Sequence, residues 1–589
     1  MVQGEMRRTD VRRVGQAGAR SRRRWDGRHD DLTTTTGPPR RPDHHDDRTT
    51  TTTRPRRDDE KGARVLLGTD QALAWVSAAR AGLVGARGRI DAVNVFPVAD
   101  ADTGTNAWLT VEGGARAVDD LLASPGGPPD AEAALAAFAR GAMLAARGNS
   151  GVILSQWLAG FVRRARRDED GPARVLADAL RDAARAARLA LADPQEGTVL
   201  TLADEVAEAA GLAADAGAPT EQAVAHAAAA GHQALARISA THPVLRRAHV
   251  PDAGACALLV VVDALVAAVT REPARDPALW LPERSVPRAR DADGDLPDAG
   301  HGGGAFEVML VVQAPRADLG DHLREGLAAV GDSVAVVGAD GWWHAHVHTD
   351  EPVAAIDACA AGAREQVVVR RLDVVDAAVG PRPDGWGLVV VTASPGLAAW
   401  YATAGAVVVV RCPELPVRAE HVRRAVEDAR DESGRAVLVV PGGAVAGDEL
   451  DLLLGIDGVE VLGADDEARA AVATLAFVTA GTSAAAAAAL ATARARVAAL
   501  EPDASVAELG RTVDGLVRAV PDRLADLPDR PAGALTDGVL PVPESLTVVV
   551  PGPLDEVLAA QVERVAAQHG LEPTVLADAS ATRVLVAVD

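Results

Sequence analysis

Apolar residues recur at helical spacing through much of the first half of the chain, in long segments rich in Ala and Leu. Gly, Pro or Asp separates one segment from the next, and these residues are typical of helix ends. The pattern predicts about eight helices, at 68–87, 104–122, 131–146, 150–166, 174–192, 198–213, 220–239 and 254–271. Residues 65–275 are therefore expected to form an all-α domain.

The pattern changes after residues 276–304, a stretch rich in Pro, Asp and Gly that we interpret as a linker. Strand-like segments then lie at 308–312, 334–337 and 344–348, and helical segments at 317–329 and 352–363. These features predict a small α/β middle domain at residues 305–378.

Strand-like and helical segments alternate through the rest of the chain. Strand-like runs lie at 387–391, 406–410, 436–440, 459–462, 546–550 and 584–588, and helical segments at 396–404, 482–500 and 553–568. Such alternation is typical of βαβ units, whose strands are parallel. The predicted fold class is therefore multidomain: an all-α N-terminal domain, the α/β middle domain, and a C-terminal α/β domain at residues 379–589.

Residues 1–64 differ from the rest of the chain. They are rich in Arg, Asp and Thr and have no apolar periodicity, which predicts a disordered, solvated tail. Three alternatives stay open for this tail: contact of its basic residues with nucleic acid, metal binding through His44 and His45, and upstream sequence added by a misplaced start.

The overall charge and the cysteines narrow the class of protein. With 60 basic and 83 acidic residues the formal net charge is -23, which argues against nucleic acid and anionic bilayers as partners. No uninterrupted apolar stretch of about 18 residues is evident, so no integral membrane segment is predicted. The Arg-rich start lacks the apolar core of a secretory signal. Cys256, Cys359 and Cys412 are far apart, which favours a reducing, cytoplasmic location.

The first candidate for chemistry is the loop at residues 94–106. Asp100 and Asp102, separated by one small residue, can converge on Mg²⁺, which prefers oxygen ligands. Asn94 and Asn106 can add amide oxygens, and the helix that follows offers N-terminal amides to an anion. An N-capping loop with both aspartates solvated is the alternative, because Asp-x-Asp is common.

Three more loops place glycine and small polar residues at the start of a predicted helix. They are Gly148-Asn149-Ser150-Gly151, Glu196-Gly197-Thr198 and Asp252-Ala253-Gly254. Free amides at a helix N-terminus suit a nucleotide phosphate. Each loop alone is only a good helix start, whereas four in one helical domain predict helix ends that converge on a polyanion.

These segments also carry a family resemblance. Residues 94–106, 148–156 and 196–201 closely resemble signature segments of the dihydroxyacetone-kinase-like (DhaL-type) ATP-binding domain. The sequence NVFPV before the paired aspartates resembles the ATP-binding subunit of bacterial fatty acid kinase. Residues 330–333 and 346–352 are similar to the middle domain of that protein, and the remaining tail is more loosely similar to its C-terminal domain. The resemblance covers about residues 66–589.

The resemblance implies a kinase whose helical barrel holds ATP through two magnesium ions. It makes Asp100, Asp102 and Thr103 the catalytic residues, with the two aspartates as Mg²⁺ ligands. The implied ATP-binding residues are Asn94, Thr105, Asn106, Gly148, Asn149, Ser150, Gly151, Thr198, Asp252 and Gly254. Catalysis then rests on positioning and charge neutralisation rather than on covalent chemistry.

The same resemblance implies the partners. A separate fatty-acid-binding protein presents the acid, the C-terminal domain binds that partner, the product is an acyl phosphate, and the chain is a homodimer. Two alternatives stay open: a dihydroxyacetone- or glycerone-type kinase component that phosphorylates another small acceptor, and a binding scaffold without activity. The long α/β tail favours the fatty acid, because the polyol-type subunit is a lone helical domain.

The chain departs from the family pattern at several positions. Where the family usually has Pro-Asp-Gly-Asp, this chain has Ala99-Asp100-Ala101-Asp102, and alanine at 101 disfavours a positive φ. Related polyol-kinase proteins tolerate this alanine, so the metal assignment is kept. Ala255 replaces the last glycine of an Asp-Ala-Gly-Gly loop, and Pro441-Gly442-Gly443 replaces Pro-Asn-Asn, which puts any role of that turn in question.

A second metal site is a separate candidate. His344, His346 and His348 alternate, so on a strand they share one face. In some family members a cysteine ligand occupies the position of Glu307 here. His346, His348 and Glu307 therefore form a candidate Zn²⁺ site, and the alternative is a solvated glutamate beside exposed histidines.

Overall fold

A computed structural model describes residues 66–96, 101–125, 127–165, 171–191, 194–282, 304–316, 318–339, 341–372, 385–430, 436–480, 483–520 and 542–589. The predicted tail at residues 1–64, most of the predicted linker, and Asp100 lie outside the described residues. The described residues fall within one compact unit, Arg64–Asp589.

Nine helices form the described part of the N-terminal region. They are α1 (Thr69–Ala92), α2 (Thr103–Ala123), α3 (Ala131–Leu144), α4 (Gly148–Ala165), α5 (Pro172–Leu189), α6 (Val199–Asp215), α7 (Thr220–Ser239), α8 (Pro243–Ala248) and α9 (Ala253–Thr270). The short α8 is the one that the apolar pattern did not predict. The prediction of a helical N-terminal region is confirmed.

Helix α9 lies in the core of this region, packed against α1, α2, α6 and α7. It is apolar on all sides, as expected of a helix surrounded by others. The indole N–H of Trp75 in α1 donates to the carbonyl oxygen of Val261 at 3.1 Å. Among the described residues α9 alone is long and apolar enough to span a membrane, which corrects the expectation that no such stretch exists. Most of its residues are nevertheless buried within the fold.

The middle region has four antiparallel strands and two helices. In chain order these are β1 (Phe306–Gln313), α10 (Leu319–Ala328), β2 (Asp332–Ala339), β3 (Trp342–Thr349), α11 (Pro352–Ala358) and β4 (Ala363–Arg371). Strand β1 lies between β3 and β4, and its Glu307 faces His348 on one side and Arg370 on the other. The sequence pattern did not predict β4, because charged residues flank its short apolar run.

Strands and helices then alternate as predicted. The elements are β5 (Gly387–Thr392), α12 (Pro395–Thr403), β6 (Val407–Val410), α13 (Ala419–Ala429), β7 (Val437–Val440), α14 (Gly447–Asp451), β8 (Val459–Val461) and α15 (Glu467–Thr479). The four strands are parallel to their neighbours, as βαβ units require. Strand β6 also pairs antiparallel with β4. One eight-stranded sheet, in the order β2-β3-β1-β4-β6-β5-β7-β8, therefore crosses the predicted domain boundary near residue 378.

A second, four-stranded sheet ends the chain. Its region contains α16 (Ala484–Arg494), β9 (Arg496–Leu500), α17 (Val506–Arg518), β10 (Ser545–Pro551), α18 (Glu556–His569), β11 (Glu572–Asp578) and β12 (Val584–Val588), with strand order β11-β10-β12-β9. The prediction of one helical segment over 482–500 is wrong, because the last five residues pair with β12. Alanine occurs in both α16 and β9, so composition hid the change. The prediction of an α/β C-terminal region is confirmed.

A buried carboxylate at the start of α15 makes stability depend on pH. Glu467 accepts hydrogen bonds from the hydroxyls of Tyr401 (2.7 Å) and Thr392 (2.8 Å), and burial raises its pKa to about 7. The folded state therefore holds a proton that the unfolded state releases above its ordinary pKa of 4.5. We expect the contribution of Glu467 to fall by on the order of 3 kcal/mol as pH rises from about 4.5 to about 7.

Glu467→Gln keeps the acceptor oxygen without the charge and is expected to remove this dependence. The measurement is the free energy of unfolding in urea at pH 5 and pH 8 for both proteins. The variant should gain on the wild type between pH 5 and pH 8. An equal difference at both pH values would contradict the expected titration.

Candidate active site

The start of α2 is held by an aspartate of α1. Oδ1 of Asp91 accepts hydrogen bonds from the amides of Gly104 (2.6 Å) and Thr105 (3.0 Å), and Oδ2 accepts one from the Thr105 hydroxyl (2.8 Å). Burial raises the pKa of Asp91 to about 6. Asp102 is the N-cap residue, yet within the described residues its side chain makes no cap hydrogen bond. Asp91, which the sequence analysis missed, caps the helix and leaves the Asp102 carboxylate to other partners.

The residue before Asp102 adopts a conformation that suits glycine. Ala101 has a φ of 58°, in the left-handed region that costs an L-residue roughly 1–2 kcal/mol. The turn that alanine disfavours is therefore formed despite that cost. We expect Ala101→Gly to stabilise the protein by about 0.5–1 kcal/mol, since the greater freedom of glycine in the unfolded chain offsets part of the relief.

Urea unfolding of Ala101→Gly measures this effect. Ala225→Gly is the matched control, because Ala225 is exposed within α7 and the same change there should destabilise by about 1 kcal/mol. Destabilisation of similar size in both variants would contradict a strained Ala101.

The N-termini of α2 and α4 are neighbours. The hydroxyl oxygens of Thr103 and Ser150, one in the first turn of each helix, lie 3.2 Å apart. Gly148 has a φ of 54°, and a Cβ atom there would lie 2.7 Å from Nδ2 of Asn106. The loop before α4 can therefore approach α2 this closely only with glycine at that position. The predicted convergence of these two helix openings is observed.

The N-termini of α6 and α9 are also joined. Oδ2 of Asp252 accepts hydrogen bonds from the amide of Val199 in α6 (2.9 Å) and from the amide of Ala255 in α9 (2.7 Å). Thr198 caps α6 by accepting from the amide of Leu200. Burial raises the pKa of Asp252 to about 6. Asp252 therefore holds two helix openings together.

A cavity of ≈ 500 Å³ lies where these four openings meet. The predicted residues in its wall are Thr103, Asn149, Ser150, Thr198, Asp252 and Gly254. Its inner wall is apolar and includes Ile153, Leu154 and Trp157, and the segment from Gly331 to Val334 of the middle region lies opposite. The remaining described candidates, Asn94, Asp102, Thr105, Asn106, Gly148 and Gly151, belong to the adjoining loops rather than to the wall. The fourth side of the cavity was not foreseen from the sequence.

The candidate Zn²⁺ residues lie together in the middle region. Glu307, His346 and His348 each offer a ligand atom, all within 4.8 Å of one another, and all three side chains are buried. Nδ1 of His346 is 3.2 Å from Oε1 of Glu307. The alternative of a solvated glutamate beside exposed histidines is wrong, because the helical region covers this face of the sheet. Burial lowers the pKa of His346 and of His348, which favours the neutral imidazoles that can bind metal.

Arg370 connects this cluster to the loop before α2. Its Nε donates to Oε2 of Glu307, and its Nη2 donates to Oδ2 of Asp102 at 2.8 Å. Oε1 of Glu307 would lie 3.8 Å from a Cβ atom placed on Gly148. The histidine and glutamate cluster therefore borders both the Asp102 loop and the α4 loop. The sequence pattern gave no sign of Arg370, since β4 itself was not predicted.

A second buried ion pair fixes the α4 loop from behind. Nε of Arg147 donates to both carboxylate oxygens of Asp428 in α13, at 2.7 and 2.9 Å. Its Nη1 donates to the carbonyl oxygens of Ala145 and Ala146. Both side chains of the ion pair are nearly inaccessible, at 6% and 4% exposure. The C-terminal region thus holds the loop that precedes α4.

The donors around the cavity fit a magnesium–nucleotide complex. Asp102 offers a carboxylate, and Oδ1 of Asn149 is buried without a hydrogen-bond partner among the described residues. Free amides at the helix starts and the hydroxyls of Thr103 and Ser150 suit phosphate oxygens. Oxygen ligands of this kind are those Mg²⁺ prefers.

Comparison with known families decides what this arrangement belongs to. The model of the DAK2 domain matches residues 97–267, and the FakA-like model, which describes the middle domain of fatty acid kinase proteins, matches residues 304–374. This chain is a DAK2-domain protein of the FakA-like type. The resemblance drawn from its motifs is confirmed, and both sides of the cavity lie within the two matched domains.

Relatives of this DAK2-domain protein match it over part of their length. Protein YloV of Bacillus subtilis is 28% identical over 349 residues, which are 54% of this chain and 60% of that protein. An uncharacterized protein of Staphylococcus saprophyticus is 31% identical over 267 residues, 45% of this chain and 47% of its own. The chain thus spans about half to three fifths of these relatives.

A solved structure also matches the DAK2-domain protein. It is the dihydroxyacetone kinase from C. freundii in complex with AMP-PNP and Mg²⁺, with 19% identity, a TM-score of 0.26 and 37% of each chain covered. At that TM-score the match carries no argument about the fold.

Proposed function

We propose that this chain is the ATP-binding component of a two-component kinase that phosphorylates a fatty acid carried by a lipid-binding partner protein. The observation that supports the proposal most is the convergence of four helix N-termini on one cavity that the FakA-like middle domain faces. A kinase of the dihydroxyacetone type acting on another small acceptor is the coarser alternative.

In this proposal Mg²⁺, when bound, neutralises the phosphates of ATP. Asp102 holds the metal together with Asp100, which lies outside the described residues. The amides at the starts of α2 and α4 bind phosphate oxygens, and the hydroxyls of Thr103 and Ser150 donate to them. Asn149, Thr198, Asp252 and Gly254 shape the rest of the nucleotide site.

The transfer itself needs no proton movement. A carboxylate oxygen of the fatty acid forms a bond to the γ-phosphorus, and the bond from that phosphorus to the β,γ-bridging oxygen breaks. ADP leaves with the electron pair, and the product is an acyl phosphate. The protein contributes alignment and fixed positive potential, which are the main requirements of phosphoryl transfer.

Three further features belong to the same proposal. The C-terminal α/β region binds the lipid-carrying partner, two copies of the chain associate, and the reaction takes place in the cytoplasm. None of these enters the chemistry of the site, so each can fail without changing the assignment of the nucleotide-binding residues.

Trapping of the product tests the proposal. The full chain is mixed with ATP, Mg²⁺, a fatty acid and candidate lipid-binding proteins from the same cell, and hydroxylamine converts acyl phosphate to a hydroxamate. We expect hydroxamate only when a lipid-binding protein is present, and none with Asp102→Ala. Phosphorylation of dihydroxyacetone without hydroxamate would instead favour the alternative acceptor, and ATP binding without any transfer would favour the scaffold.

We also propose that Glu307, His346 and His348 hold Zn²⁺. Two imidazole nitrogens and one carboxylate oxygen are a common zinc ligand set, and the buried cluster brings them within reach of one ion. Arg370 uses Oε2 of Glu307, which leaves Oε1 for the metal.

Metal analysis of the purified protein tests this site. We expect about one zinc per chain in the wild type and a clear loss in the His346→Ala and His348→Ala variants. Zinc content that is absent from the wild type, or unchanged in both variants, would overturn the zinc assignment while leaving the kinase proposal intact.

A further inference from the structure

Arg370 joins two parts of the site that are 268 residues apart in sequence. It stands on β4, directly opposite Glu307 of β1, and Glu307 in turn stands opposite His348 of β3. Side chains that face each other across neighbouring strands share one face of the sheet. This register places Arg370 in a row with the candidate zinc residues, on the face that meets the starts of α2 and α4.

The guanidinium group is placed between two carboxylates. Its Nη2 donates to Oδ2 of Asp102 at 2.8 Å, and both side chains are 23% exposed. Its Nε donates to Glu307, which is almost fully buried. The contact with Glu307 anchors the guanidinium, whereas the contact with Asp102 lies at the accessible side.

Asp102 cannot give Oδ2 to Arg370 and to a metal ion at once. A cation that binds Asp102 takes over its charge and leaves Nη2 of Arg370 without that acceptor. The anion that arrives with the metal is the phosphate chain of ATP. Guanidinium binds phosphate oxygens through charge-assisted hydrogen bonds.

We propose that Arg370 is a phosphate-binding residue that the middle domain supplies to the kinase site, and that Asp102 holds its place until the nucleotide arrives. When the magnesium nucleotide binds, Arg370 turns about its anchor at Glu307 and donates to the γ-phosphoryl oxygens. It then neutralises the charge on that group as the bond to the acceptor oxygen forms and the bond to ADP breaks. This role rests on the proposed kinase function.

Two binding measurements separate this role from a purely structural ion pair. The first is the affinity of the nucleotide-free protein for Mn²⁺, used as a spectroscopic substitute for Mg²⁺. Arg370→Met removes the competitor for Asp102, so Mn²⁺ should bind more tightly. The second is the ratio of ATP to ADP affinity in the presence of Mg²⁺. Loss of charge-assisted hydrogen bonds to the γ-phosphate should weaken ATP by about 10- to 100-fold and leave ADP nearly unchanged.

The control variants use the alternation of the strand. Arg371→Met changes the neighbouring residue, whose side chain points to the opposite face, and should alter neither measurement. Arg370→Lys keeps the charge without the planar fork and should restore part of the ATP affinity. With an active partner and acceptor, Arg370→Met should lower kcat by about 10³-fold, the lower end of the range for arginines that stabilise transferring phosphoryl groups.

The proposal is overturned if Arg370→Met leaves the ratio of ATP to ADP affinity unchanged. It is also overturned if Mn²⁺ affinity falls together with the melting temperature, which is the result expected of a structural ion pair. Failure of the wild type to phosphorylate any acceptor would count against the proposed function alone, because both binding measurements can be made without an acceptor.

Discussion

Replacing Asp102 by asparagine is expected to lower phosphoryl transfer by at least about 10³-fold. The carboxylate of Asp102 is the described metal ligand of the loop, and a bound cation supplies several kcal/mol of charge stabilisation to the transition state. Each 1.36 kcal/mol corresponds to a tenfold change in rate. The measurement is the rate of acyl phosphate formation at saturating ATP.

Asp120→Asn is the matched control for this variant. Asp120 is an exposed residue of the same helix, α2, and makes the same change of charge far from the loop. We expect its rate to equal that of the wild type. An Asp102→Asn protein that retains more than a tenth of the wild-type rate would contradict the role assigned to this aspartate.

Replacing Asp428 by asparagine is expected to destabilise the folded protein by about 3–5 kcal/mol. The change leaves the buried guanidinium of Arg147 without its charged partner, and an uncompensated buried charge is costly. Arg147 also holds the carbonyl oxygens of Ala145 and Ala146, so ATP affinity should fall with stability. Urea unfolding and calorimetric titration with ATP measure the two effects.

A double variant distinguishes charge from packing at this pair. Arg147→Met with Asp428→Leu removes both charges, and such replacements often restore stability. We expect the double variant to be more stable than Asp428→Asn but still weak in ATP binding. Asp451→Asn, an exposed aspartate in α14, should change neither property. A loss below about 1 kcal/mol for Asp428→Asn would contradict the importance of the buried ion pair.

Much of the nucleotide site follows from local sequence signals. Glycine and small polar residues before an apolar helical segment predicted the starts of α2, α4, α6 and α9, because helix capping depends on neighbours in sequence. The prediction that these starts converge holds because their exposed amides share one preferred ligand class. The cavity wall formed by Thr103, Ser150, Thr198 and Asp252 follows this reasoning.

The rest of the site depends on contacts between residues far apart in sequence. Asp91 caps a helix that begins 12 residues later, and its role cannot be separated by sequence from that of Asp102. Arg370 and Asp428 act through partners in another domain. Their positions are set by the register of β4 and by the packing of α13, neither of which local periodicity specifies. Ala-rich composition further hid the change from α16 to β9.

The central claim is that the helix starts beside Asp102 form a magnesium-dependent ATP site. Calorimetric titration of the full chain with ATP, with and without Mg²⁺, tests it most directly. The account predicts a single ATP site per chain that requires Mg²⁺ and is lost in Asp102→Asn while the circular dichroism spectrum stays unchanged. No binding of ATP, or binding that is indifferent to both Mg²⁺ and Asp102, would contradict it.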